Sequence, residues 1–178
     1  AIVDDLLVAA RTDIGELTVA AVPIDLRAQA AQILEILDPN HSIPVLGHAP
    51  TAAGDPTRVR QILRNLITNA KRYGGDNISV VLGSQSNTFA SLAVKDNGDP
   101  IPANHQERIF KPYQRADDRP DQPGSIGLGL AVSRRLARLM SGDLTYLYQD
   151  GHSIFELSLP VVAEPHLEAD QETAAAAR

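Results

Sequence analysis

The stretch that opens at Asp55-Pro56 and runs to Tyr73 limits this chain more than any other feature. Aspartate at a helix entry accepts backbone N–H bonds, and a proline directly after it has a φ suited to the first helical position. From there Val59, Ile62, Leu63, Leu66, Ile67 and Ala70 recur at the spacing of one helical face, until Gly74-Gly75 stops the pattern. A stripe that broad must face a sheet. Beside it Asn65, Asn69 and Arg72 stand at i, i+4 and i+7, on one line of the helix. Asparagine is a mediocre helix former, so two of them one turn apart carry a cost. Two readings stay open for this line. It is a solvated polar face, or it is a cleft wall where an amide oxygen reaches Mg²⁺ and Arg72 reaches phosphate.

The flanking sequence predicts the sheet. Residues 78–83 and 89–96 read as a hairpin, and 144–148 and 153–159 as two closing strands that end at Pro160. Residues 17–22 read as a strand stopped by Pro23, and 43–47 as another. Asp25 is placed to cap a helix to Leu37, with Leu26, Ala30, Ile33, Leu34 and Leu37 inward, and a further helix spans 127–140, closed by Gly142. Val3, Leu6, Leu7, Ala10 and Ile14 give residues 2–16 one apolar helical face, which expects a partner helix. Residues 100–124 form a long loop, with one helical turn around 105–110, and a loop of that length usually has a job. The tail over 163–178 is polar and alanine-rich, and little fixed structure is expected there. The sum is an α+β fold, a two-layer sandwich with helices on one face of a mixed sheet.

A chain of 178 residues suits one domain with short appendages. Its net charge of -6 argues against a nucleic-acid surface, which needs clustered cations. The absence of cysteine excludes disulfides and thiolate chemistry. The longest apolar run, over 17–24, is too short to span a bilayer, no leader pattern opens the chain, and its start reads as a cut through a helix.

Two further motifs carry chemistry. Asp96-Asn97-Gly98 follows a predicted strand. It is a tight turn, or it offers a carboxylate to the exocyclic amino group of adenine, with Gly98 letting the base lie close to the backbone. Gly124-Ser125-Ile126-Gly127-Leu128-Gly129-Leu130 opens a helix, where free N–H groups and the helix dipole favour an anion. It is neither a dinucleotide fingerprint nor a P-loop.

Taken in order, the segment from Asn65 to Tyr73, Asp96-Asn97-Gly98, the run from Ile109 to Arg115 and Gly127-Leu128-Gly129-Leu130 resemble the N, G1, F and G2 boxes of sensor histidine kinases. The resemblance covers about residues 1–160. It implies the Bergerat-type ATP-binding sandwich and an ATP-binding catalytic domain that donates the γ-phosphoryl group to a histidine outside this chain. It implies Asn69 as the main Mg²⁺ ligand, with Asn65 also near metal or phosphate. It puts Arg72 in place of the usual lysine, Tyr73 against the nucleotide, and Asp96, Gly98 and Ile101 around adenine. It makes Phe110 and Tyr113 anchors of a lid whose Arg115 reaches the polyphosphate, and gives the phosphates to the N–H groups of Gly127, Leu128, Gly129 and Leu130. Asn69, Arg72 and Arg115 are the residues expected to act on the transferred group.

By the same resemblance, residues 1–16 are the end of the second helix of a dimerisation and phosphotransfer domain, 17–162 the catalytic domain and 163–178 a flexible tail. The expected partners are that dimerisation domain, a response regulator and a second copy of the parent, whose catalytic domain is cytoplasmic on a protein that can be membrane-anchored. His41, His48, His105, His152 and His166 lack a phosphoacceptor context, so the chain is expected to bind Mg-ATP without phosphorylating itself. Three departures stand out: Pro100 replaces a glycine of the G1 box, Ser125-Ile126 replaces smaller residues, and Lys111 replaces a frequent glutamate. Alternatives are an anti-sigma-factor-type serine kinase, or an interaction module that has lost its nucleotide. A gyrase-like ATPase needs a glutamate in the N box to activate water, and the Asn65 to Tyr73 segment has none.

Overall fold

The computed structural model describes residues 18–113 and 127–162. The helix expected over 1–16, the tail, Arg115 and Gly124 to Ile126 lie outside the described residues. In chain order the elements are β1 (Val22–Ile24), α1 (Leu26–Leu37), β2 (Val45–Gly47), β3 (Ala52–Gly54), α2 (Pro56–Tyr73), β4 (Ile78–Ser86), β5 (Phe89–Asp96), α3 (Ala103–Gln106), a 3₁₀ turn (Arg108–Phe110), α4 (Gly129–Leu139), β6 (Asp143–Gln149) and β7 (His152–Pro160).

Asp55 caps α2 as its position predicts, one carboxylate oxygen accepting from the N–H of Thr57 at 2.9 Å and of Arg58 at 3.2 Å. The other oxygen accepts the N–H of Ala20 at 3.1 Å, which ties the chain before β1 to the start of α2. Asp25 caps α1 in the same way. The α2 stripe from Val59 to Ala70 is buried throughout. It shares one core with Leu26, Ile33 and Leu34 of α1, Leu136 and Ala137 of α4, and Val80, Leu92, Val94, Leu144, Leu157 and Leu159 of the sheet.

The main sheet has five strands in the order β2-β4-β5-β7-β6, with β2 parallel to β4 and the other pairs antiparallel. It is therefore mixed, and with helices packed on its apolar side the fold is the expected α+β sandwich. No helix among the described residues is long and apolar enough to cross a membrane.

Three local expectations are corrected, and one strand, β3, was not foreseen. The strand read over 17–22 is Val22–Ile24 and contains Pro23 rather than stopping at it, because β1 pairs only with β3 and an outer strand tolerates a missing donor. β3 has no strand-like composition and forms through that pairing and a bridge from Ala52 to Val161. The strand read over 43–47 begins at Val45, because the Ile43 N–H is taken by the Asp38 carboxylate at 2.7 Å. The last helix starts at Gly129, two residues late, because Gly127 has φ 71°.

Candidate functional site

The C-terminal end of α2 meets the end of β5. Asp96, the last residue of β5, is 4% exposed, which for a carboxylate demands an explanation. Within the turn it accepts the N–H of Gly98 at 2.9 Å. Gly74, just past α2, lies so close that a Cβ there would sit 2.4 Å from the Asp96 carboxyl carbon. Burial pushes the Asp96 carboxyl above the usual range, and the Gly98 N–H and nearby His152 offset this in part. The result is a strongly accepting group held in a tight frame with little solvation of its own.

The other end of the site lies about eight residues back along α2, roughly 12 Å by the helical rise. There the Asn65 amide donates to the Ser133 hydroxyl at 3.0 Å, and a Cβ on Gly129 would come within 2.3 Å of Asn65 Oδ1. So Asn65 lies directly on the first turn of α4. That turn has no side-chain cap, unlike the starts of α1 and α2, and carries no acidic residue. Uncapped N–H groups at a helix start form an anion site. Asn69, one turn on from Asn65, is half-buried and makes no side-chain hydrogen bond among the described residues, whereas Asn65 is held by Ser133 through its amide nitrogen.

The third wall comes from the segment after β5. Phe110 lies under the Arg134 guanidinium, 4.6 Å from ring centroid to carbon. Arg134 in turn bonds Asp143 at 3.0 Å and Glu107 at 3.1 Å, which fastens the 3₁₀ turn to α4 and β6. Burial would raise the Asp143 carboxyl, but Arg134 and Arg138 outweigh it and hold it at about 2. The Tyr113 N–H donates to the Gly127 carbonyl at 3.0 Å, which brings these two residues together. Its ring is exposed, and the anchoring runs through the backbone rather than the side chain.

Among the residues nominated from sequence, Asn65 and Gly129 meet at the α2–α4 junction, with Leu128 buried and Leu130 partly buried beside Gly129, and Tyr73, Asp96 and Gly98 meet at the α2–β5 end. A Cβ on Gly98 would lie 3.0 Å from the Tyr73 carbonyl. Ile101 is half-buried and packs on the core edge, while Arg72 is exposed with its guanidinium 5.9 Å from the Tyr73 ring centroid. Arg115 is outside the described residues. Sequence reasoning missed Ser133, Arg134, Tyr146, His152 and Ser153. Ser153 is paired across the ladder with Asp96, a register that no local pattern discloses.

A buried carboxylate at the C-terminal end of α2 and an uncapped helix start against its middle fit an ATP-binding domain of the two-layer sandwich class. The family model described as "Histidine kinase-, DNA gyrase B-, and HSP90-like ATPase" matches residues 54–163, more than half of the chain, and the chain belongs to that family. It is 32% identical over 167 residues to the probable sensor histidine kinase TcrY of Mycobacterium tuberculosis, covering 90% of this chain and 35% of TcrY. The chain thus spans about a third of that relative's length. Among solved structures, the Acinetobacter baumannii histidine kinase AdeS has the same fold, with a TM-score of 0.70 at 22% identity over 89% of this chain and 76% of that one. Full-length ShkA, solved in complex with AMPPNP, has a TM-score of 0.69 at 25% identity, covering 92% of this chain and 36% of ShkA.

Proposed function

We propose that this domain binds Mg-ATP and acts as the catalytic domain of a two-component sensor histidine kinase, donating the γ-phosphoryl group to a histidine on a dimerisation domain. The observation that carries this reading is the pairing of a buried, desolvated Asp96 with the uncapped start of α4 along one helix. Asp96 accepts from the adenine amino group, and guanine, with a carbonyl there, is rejected. Gly98 and Ile101 flank the base, and Tyr73 covers it. The N–H groups from Gly127 to Leu130 hold phosphate oxygens, with Arg72 and Arg115 adding charge. AMPPNP bound by ShkA, a structural relative, supports a triphosphate in this cleft.

Mg²⁺ fits the residues present. Among the described residues no group of three or more acidic or histidine side chains gathers to hold a metal, which suits an ion that takes much of its coordination from phosphates. Asn69 would hold the ion through its amide oxygen, while Asn65, fixed by Ser133 through its nitrogen, keeps its oxygen close against Gly129. When bound, the ion neutralises phosphate charge. The protein's own part is to align the γ-phosphoryl group and keep water out.

In the parent protein, residues 1–16 end a dimerisation helix, 17–162 form this domain and 163–178 a tail. A second copy, the dimerisation domain and a response regulator are the partners. The test is label transfer from γ-labelled ATP to an added dimerisation domain of a sensor kinase. Acid-labile label on its histidine is the expected result. Acid-stable label on serine of a protein partner would instead favour an anti-sigma-type kinase.

A further inference from the structure

The loop that follows Asp96 is held by a device outside the sequence motifs. Pro100 has no N–H, so a donor to fix the loop must come from its neighbours. The Ile101 N–H donates to the Tyr146 hydroxyl at 2.9 Å, that hydroxyl lies 3.2 Å from the Ser153 hydroxyl, and Ser153 Oγ donates to the Asp99 carbonyl at 3.4 Å. The Asp99 carbonyl can only accept, so Ser153 spends its one proton there and must accept from the Tyr146 hydroxyl, which sets the direction of the whole chain. Tyr146 accepts from Ile101 and donates to Ser153, which donates to Asp99. The circuit leaves the loop at one side of Pro100 and returns to it at the other. Its base is firm: the Tyr146 ring packs on Phe155 with centroids 5.0 Å apart, on the cross-strand pair of β6 and β7. Ser153 also stands opposite Asp96 on the ladder, so the circuit and the buried carboxylate share one strand position. On its far side the Ile101 carbonyl accepts from Gln106 at 3.0 Å.

We infer that Tyr146 is a positioning residue that, through Ser153, fixes the Asp99–Ile101 loop in the form that receives adenine. This rests on the ATP-binding reading above. Tyr146→Phe deletes one oxygen and keeps the ring on Phe155, so the fold is retained. In the nucleotide-free protein it should speed hydrogen exchange at the Ile101 amide, because the acceptor is gone. By calorimetry it should weaken Mg-ATP about 5-fold, the worth of one ordinary net hydrogen bond. Adding Ser153→Ala should cost little more than either change alone, because both break one circuit. A variant that binds Mg-ATP within about twofold of the wild type, or that exchanges Ile101 at the wild-type rate, overturns the inference while leaving the ATP site in place. A wild-type protein that binds no ATP fails the functional reading itself, and the inference with it.

Discussion

At the scale of single residues, Asp96 concentrates the tension between stability and function. Its carboxyl is raised by burial, so the native state takes up the proton more readily than the unfolded chain does, and stability grows as pH falls through that range. Asp96→Asn removes a buried charge. It should leave the melting temperature of the nucleotide-free protein equal or higher at neutral pH, and remove its share of that pH dependence. The same change should weaken Mg-ATP by at least about 1.5 kcal/mol, the scale of a charge-assisted hydrogen bond, read by calorimetry. Gly129 gives the complementary case. An alanine there would thrust its Cβ at the Asn65 carbonyl oxygen, which has little room to retreat while its amide holds Ser133. Gly129→Ala should therefore weaken Mg-ATP by about 1–2 kcal/mol in titration, with a smaller loss of melting temperature. The asparagine line, Asp96 and the paired glycines were legible in the sequence because each is a residue type out of place on a plain helix or strand. Tyr146 and Ser153 were not, since a tyrosine on β6 and a serine on β7 look like ordinary sheet residues until the pairing of the strands brings both hydroxyls to the loop.

At the scale of elements, α2 is the part that the sequence describes most fully. Its cap, its stripe and its stop are all local signals, and all three are in the structure where the pattern puts them. β1 and β3 are the opposite case. Three residues each, one with a proline and one of Ala-Ala-Gly, they exist because the chain brings them together, and pairing is not written locally. The turn carrying Phe110 is held by charge instead. Asp143 sits at about 2, below its ordinary 3.8, so its contribution is complete above that ordinary value and is lost as pH falls from there toward 2. The wild type should accordingly lose part of its stability across that interval in acid melts. Asp143→Asn should lose less of it there, and should cost about 1 kcal/mol near neutrality, since Asp143 is partly exposed and solvent screens its pairs with Arg134 and Arg138.

At the scale of the whole molecule, the sandwich brings chemistry from distant parts of the chain onto one helix. α2 touches the β5 turn at its C-terminal end and the start of α4 at its middle, so one helix spaces the two ends of the proposed site. Its N-terminus meets both the chain before β1, through Ala20 and Asp55, and Met140 beyond α4, whose sulfur lies 3.2 Å from the Asp55 N. The order of motifs along the sequence already implied this layout through the family resemblance, whereas composition and periodicity alone reached only the fold class. A nucleotide site with an adenine-reading carboxylate is tested most directly by calorimetric titration of the protein with ATP and with GTP, each with Mg²⁺. Saturable binding of one ATP with at least about tenfold weaker binding of GTP is the predicted result. Equal binding of the two nucleotides, or binding of neither, would contradict it.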